Sequence, residues 1–197
     1  MMRNANSVTI EVVQEKHFDD VIRLNTTFLN SKHCCCILPL GIGTDEEIRQ
    51  SYQKCPKKME TSAVALDASG KTVGYIQVIF KGMPCALHKC KDGEAYIYTI
   101  TVDADARGMG VGSRLLAWAE ELAKRRDCTF MSLDVIRGNR AIHLYERKGF
   151  VVKPISFVSM LCQAPLVCCL FGPVICPSGS SSYCSYGKAH FMEKQLE

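Results

Sequence analysis

The chain has 197 residues, of which 47% are hydrophobic and 22% charged, and a formal net charge of +4 at pH 7. That length and balance describe one folded domain with one substantial core, and exclude a disordered or fibrous chain. The basic residues are scattered, and Lys124, Arg125 and Arg126 stand beside Glu120 and Glu121, so they read as solvated faces rather than a nucleic-acid surface.

The first predicted element is a strand over residues 7–13. A helix over 18–29 follows, with Phe18, Val21, Ile22, Leu24 and Phe28 on one face. No basic segment leads into an apolar run near residue 1, so a cytoplasmic, reducing setting is expected. A loop with Pro39, Gly41 and Gly43 leads to Asp45, placed to cap a polar helix over 46–54. Runs over 63–67 and 73–80 flank the turn Ala68-Ser69-Gly70-Lys71 and predict an antiparallel hairpin.

After a loop over 82–93, Tyr96, Tyr98, Ile100 and Val102 alternate with Ile97, Thr99 and Thr101, the pattern of a strand. A helix over 110–126 carries an inward stripe of Leu115, Trp118, Ala119 and Leu122. A strand over 130–135 comes next, then a helix over 139–148 that stops at Gly149. Strand, helix, strand over 96–135 has the length of a crossover joining two parallel neighbours, and the chemistry is expected where those strands part. Strands over 151–160 and 189–196 complete an α/β pattern.

Between those last strands runs an insert over 161–187, whose apolar, cysteine-rich core over 166–176 is about 11 residues, too short to span a bilayer. It reads as a loop folded back on the domain, as a substrate or dimer loop, or as a weak membrane contact with acylated cysteines. The chain has twelve cysteines but no Cys-x-x-Cys; Cys34, Cys35 and Cys36 are contiguous, as are Cys168 and Cys169. Adjacent thiols make poor disulfide or zinc frameworks, so reduced thiols and no metal site are expected.

The strongest chemical signal is Arg107-Gly108-Met109-Gly110-Val111-Gly112, set between a strand and a helix. Alternate glycines permit positive φ and close approach, so amides from Gly108 to Ser113 can turn toward one anion at the helix's positive end. A pyrophosphate fits such a site. Ser113 stands where a dinucleotide fingerprint needs glycine, and the Gly-Lys-Ser/Thr of a P-loop is absent. Asp134 is placed where a dinucleotide's ribose acid would be, which keeps that alternative open. Glu94, Tyr96 and Tyr98 share a face of one strand and Asp134 lies on its parallel neighbour, so each is a candidate proton acceptor.

Arg107, Gly110 and Gly112 resemble the Arg/Gln-x-x-Gly-x-Gly/Ala motif of the GNAT superfamily of N-acetyltransferases. The resemblance extends to Ile100-Thr101-Val102, Leu115-Leu116, Leu133-Asp134-Val135 and residues 139–150 with Ala141, Leu144-Tyr145 and Gly149-Phe150. It implies a single domain with a mixed sheet of about seven strands, helices on both faces, and two splayed parallel strands. It also implies acetyl-coenzyme A held by residues 107–113, by Ile100, Thr101 and Val102, and by Asn139 and Tyr145. Tyr145 matches the family tyrosine that faces the cofactor sulfur, and a backbone amide near Val102 would polarise the thioester carbonyl. The family often has proline where Ala104 stands, and its Asn-x-x-Ala is shortened here to Asn139-Arg140-Ala141, a rotation of about 100° on a helix.

Within that superfamily, residues 95–100 and 189–196 resemble the stand-alone protein N-terminal acetyltransferases, whose catalytic tyrosine matches Tyr96. Their cooperating histidine is replaced by Asp134. Leu24-Asn25 and Leu38-Pro39-Leu40 resemble the segments that grip the substrate's first residue, with Ile42 where an aromatic is usual. Tyr98, Tyr183 and Tyr186 are further substrate-lining candidates. The resemblance implies acetyl transfer to a peptide or protein α-amine; the sequence leaves monomer and homodimer both open. A small-molecule amine or lysine acceptor, and a non-catalytic acyl-coenzyme A-binding module, are the alternatives.

Overall fold

The computed structural model describes residues 8–29, 45–84, 88–136, 138–154 and 189–197. The loop carrying Leu38, Pro39, Leu40 and Ile42, and the insert carrying Tyr183 and Tyr186, lie outside them. Seven strands form one sheet: β1 (Thr9–Val12), β2 (Ser62–Leu66), β3 (Thr72–Phe80), β4 (Glu94–Val102), β5 (Phe130–Ile136), β6 (Val151–Val152) and β7 (Ala189–Gln195). Their order is β1-β2-β3-β4-β5-β7-β6. Among the described strands β4 and β5 are the parallel pair, and every other pairing is antiparallel.

The helices are α1 (Phe18–Leu29), α2 (Asp45–Lys54), α3 (Lys57–Glu60), α4 (Val111–Arg125) and α5 (Ile142–Arg147). They cover both faces because β2 and β3 are apolar on both. Ala63, Ala65, Ile76 and Val78 meet Val111, Leu115, Leu116, Ala119 and Leu122 of α4 in the larger core. Val64 and Tyr75 face the other way, against Val21 and Leu24 of α1 and Tyr52 of α2. Each leucine so buried contributes about 1.5–3 kcal/mol before entropic costs. The Tyr52 and Tyr75 hydroxyls are hydrogen-bonded within this second core.

Two expectations are corrected. The predicted alternation along β4 breaks, because Gln77 pairs with Thr99 and Val78 with Ile97, which leaves Tyr98 as an extra residue in a bulge. Ile97 and Ile100, which alternation puts on opposite faces, therefore both pack with α4. Tyr98 does not continue a regular row with Glu94 and Tyr96. The helix predicted over 139–148 shrinks to α5, because the Asn139 side-chain oxygen accepts the Ala141 amide at 2.9 Å and holds a turn instead. The strand predicted over 151–160 is described only as Val151–Val152, and residues 155–160 lie outside the described chain.

Candidate active site

The crossover places the glycine turn at the end of β4. Gly108 and Gly110 have φ of +77° and +78°, with nothing within 4 Å of where a Cβ would stand. Gly112 has an ordinary helical role: a Cβ there would lie 3.0 Å from Leu144, so its smallness lets α5 approach α4. The first helical bond from Gly110 is made by the Arg114 amide at 3.1 Å, so the amides of Val111, Gly112 and Ser113 point out of the helix end without intrahelical acceptors. Open space, two left-handed glycines and a helix N-terminus make a cradle that fits an anion. Arg107 stands exposed at its rim, its Nε donating to Val102 O at 3.3 Å. Arg23 of α1 steadies the approach, donating to both oxygens of Asp103 at 3.0 Å and to Thr72 O at 2.8 Å.

β4 and β5 pair from Glu94 with Phe130 to Ile97 with Leu133, and there the pairing stops although both strands continue. The sheet thus opens next to the Tyr98 bulge. On the face away from α4, the Tyr96 hydroxyl donates to Asp134 Oδ2 at 3.0 Å, joining the two strands at the opening. Burial is the largest influence on Asp134 and raises its pKa, outweighing the Tyr96 hydrogen bond and the nearby His88 charge.

Glu94 is 2% exposed. Its carboxylate accepts from His88 Nε2 at 2.8 Å, from the Lys91 amide at 2.7 Å, and from the Ser132 hydroxyl. Burial works to raise its pKa, but these three donors, His88 foremost, hold it down at about 2. The His88 ring lies flat on Tyr96, with centroids 4.2 Å apart and 19° between planes, and faces Phe191 at 5.9 Å on its other contact. Cys90 Sγ completes a His88, Cys90, Glu94 group whose ligand atoms lie within 4.8 Å of one another. Because the carboxylate is already occupied by three donors, the group is first a hydrogen-bonded network.

Tyr145 is buried among core residues and meets Phe150 edge-on at 6.1 Å. Burial pushes its hydroxyl up to about 12. Thr101 Oγ1 is buried without a hydrogen-bond partner among the described residues. Ile100 and Val102 pack against the α4 core, and Asn139 is exposed with its side-chain oxygen engaged by Ala141. Tyr98 is 39% exposed at the bulge. The structure thus brings together Tyr96, Asp134 and Glu94, and places the glycine turn at the far end of β4.

His88, Ser132 and Phe191 are site residues that sequence reasoning missed. Ser132 and Phe191 follow the period-two rows that carry Asp134 on β5 and its partner on β7, and that periodicity was available. His88 lies in an irregular loop, where no spacing rule points at Tyr96. A surface depression of about 830 Å³ lies elsewhere, lined by charged residues such as Glu120, Lys124, Lys153 and Lys194. Lys194 there is paired with Glu120 and Lys153 with Glu193, and the depression touches none of the groups above.

An open parallel pair beside a glycine cradle is an arrangement that suits an anionic cofactor at the opening of an α/β sheet. A model of the acetyltransferase (GNAT) family matches residues 28–150, and the chain belongs to that family. Acetyl-coenzyme A is the cofactor of that family. An acetyltransferase of Agrobacterium fabrum, Atu2258, is 38% identical over 58 residues, which are 29% of this chain and 42% of that protein. The chain thus matches less than half the length of that curated relative.

Among solved structures, Ard1 from Thermoplasma volcanium superposes with a TM-score of 0.64 at 23% identity, covering 97% of this chain and 99% of that one. The NatC complex bound to Gag peptide and CoA does so with a TM-score of 0.60 at 18% identity, covering 97% and 99%. At such identities these likenesses establish the fold. Among the described residues no helix is long and apolar enough to cross a membrane.

Proposed function

We propose that the protein transfers the acetyl group of acetyl-coenzyme A to the α-amine of a peptide or protein N-terminus. The observation that carries this reading is the Tyr96 to Asp134 hydrogen bond of 3.0 Å, set at the opening between β4 and β5. The likeness of residues 95–100 and 189–196 to N-terminal acetyltransferases favours an α-amine over other acceptors.

Acetyl-coenzyme A, when bound, supplies the acetyl group as a thioester. The amides from Gly108 to Ser113, Met109 and Val111 included, would hold its diphosphate together with Arg107. Ile100, Thr101 and Val102 would border its pantetheine arm. The acceptor must attack as a neutral amine. Tyr96 or Asp134, joined by their hydrogen bond at the opening, orients it and promotes loss of its proton. Tyr145, held near 12, enters the reaction protonated and donates its hydrogen bond to the leaving sulfur as the C–S bond breaks.

Thiol release with short peptides, set against N-terminally blocked copies containing lysine, tests the acceptor. Turnover of free but not blocked peptides is expected. Turnover of blocked lysine peptides or of small amines alone would overturn the α-amine reading.

A further inference from the structure

We propose that His88 is the base that receives the acceptor amine's proton, with buried Glu94 as its orienting partner; this rests on the acetyl-transfer reading above. The argument begins with what Glu94 can accept. An ionised carboxylate has no proton to donate, so its 2.8 Å bond to His88 requires the proton on Nε2. In the neutral ring that leaves Nδ1 with a lone pair, the tautomer a proton acceptor needs. The partner of Glu94 sets this tautomer as an orienting acid does in other nucleophile-base-acid arrangements.

Charge balance points the same way. Glu94 is buried, and its other two donors, the Lys91 amide and the Ser132 hydroxyl, are neutral. A buried carboxylate without a cation is costly, so a proton arriving on His88 compensates a charge already present. Asp134 takes its hydrogen bond from the neutral Tyr96 phenol, and the His88 charge that acts on it is outweighed by its desolvation. Position supports the assignment: the imidazole is stacked on Tyr96, and its side chain keeps 15% of its surface open, so it borders the reaction face and can pass the proton to water. The step balances. The amine N–H bond breaks as the N–C bond forms and the proton moves to His88 Nδ1; the C–S bond breaks to release the thiolate, which accepts a hydrogen bond from Tyr145 and is protonated from water, while His88 returns its proton to water.

His88→Ala and His88→Gln are measured beside the wild type, on whichever amine the wild type acetylates, with coenzyme A titration confirming that each variant is folded. The expected result is a fall in kcat of about a hundredfold with coenzyme affinity unchanged. Substituted imidazoles added to His88→Ala should restore turnover in the order of their basicity, a response that a packing role does not produce. Glu94→Gln should lower kcat and resist such rescue. Activity within twofold of wild type in either His88 variant, or loss that no imidazole restores, overturns the proposal. So does loss of wild-type activity on chelation, which would make His88, Cys90 and Glu94 a metal site. Wild-type turnover of small amines alone overturns only the α-amine reading, and turnover of no amine overturns both.

Discussion

Glu94 and Asp134 stand on one face of neighbouring strands, yet their surroundings drive them apart. Three donors hold Glu94 ionised, whereas Asp134 has the Tyr96 phenol and a raised pKa. The linkage has a definite sign for Glu94. Its folded pKa lies below the ordinary value of 4.5, so its stabilisation is present above 4.5 and lost as pH falls toward about 2. The interval corresponds to on the order of 3 kcal/mol. Acid denaturation followed between pH 5 and pH 2 should therefore be shallower in Glu94→Gln; an identical profile would remove this account. Tyr145→Phe should lower kcat at least tenfold while coenzyme affinity changes little, and an unchanged kcat would strip Tyr145 of its donor role. At this scale the sequence disclosed Tyr96, Asp134 and Glu94 through strand periodicity. His88 stayed hidden because a stacking contact made from a loop leaves no periodic trace.

At the level of elements, close approach between α4 and the sheet depends on Gly74. A Cβ there would lie 2.9 Å from Val111 Cγ1, 3.1 Å from Leu115 Cδ1 and 3.3 Å from Thr101 O. Gly74→Val is expected to destabilise by about 1–3 kcal/mol and to weaken coenzyme binding, because Val111 begins the helix that carries the cradle. Gly110→Ala is a contrasting case: its surroundings are open, and the cost is that of a left-handed backbone, about 1–2 kcal/mol. Chemical denaturation of both variants, with coenzyme titration, checks the ranking. The crossover from β4 through α4 to β5 was legible because apolar periods of two and 3.6 follow one another across a glycine turn. The bulge at Tyr98 was not, since it is created by the partner strand: β3 has one residue fewer between Gln77 and Val78 than β4 has opposite them. The shortening of α5 was foreshadowed by the missing residue after Asn139, although its cause, a side chain capturing the Ala141 amide, is a tertiary-free local effect that periodicity ignores.

Across the whole molecule the strand order carries most of what the sequence concealed. Nothing in the hydrophobic pattern says that β7 lies between β5 and β6, yet it pairs with β5 along its full length and gives β6 its only described neighbour. The insert over 161–187 therefore joins an edge strand to an interior one. Replacing residues 166–176 with a polar linker should leave coenzyme affinity within about twofold, and lipid-vesicle binding that persists unchanged would eliminate the membrane-contact reading of that segment.

Because Phe191 rides on β7 opposite Asp134, the wall behind His88 is supplied by a strand translated well after β5. A nascent chain halted before Ala189 would present β5 with its β7 edge unpaired and Asp134 without Phe191 opposite it. The surroundings of Asp134 would thus be completed only when β7 pairs with β5, and stalled-ribosome fragments ending before and after β7 should differ in protease resistance across β5.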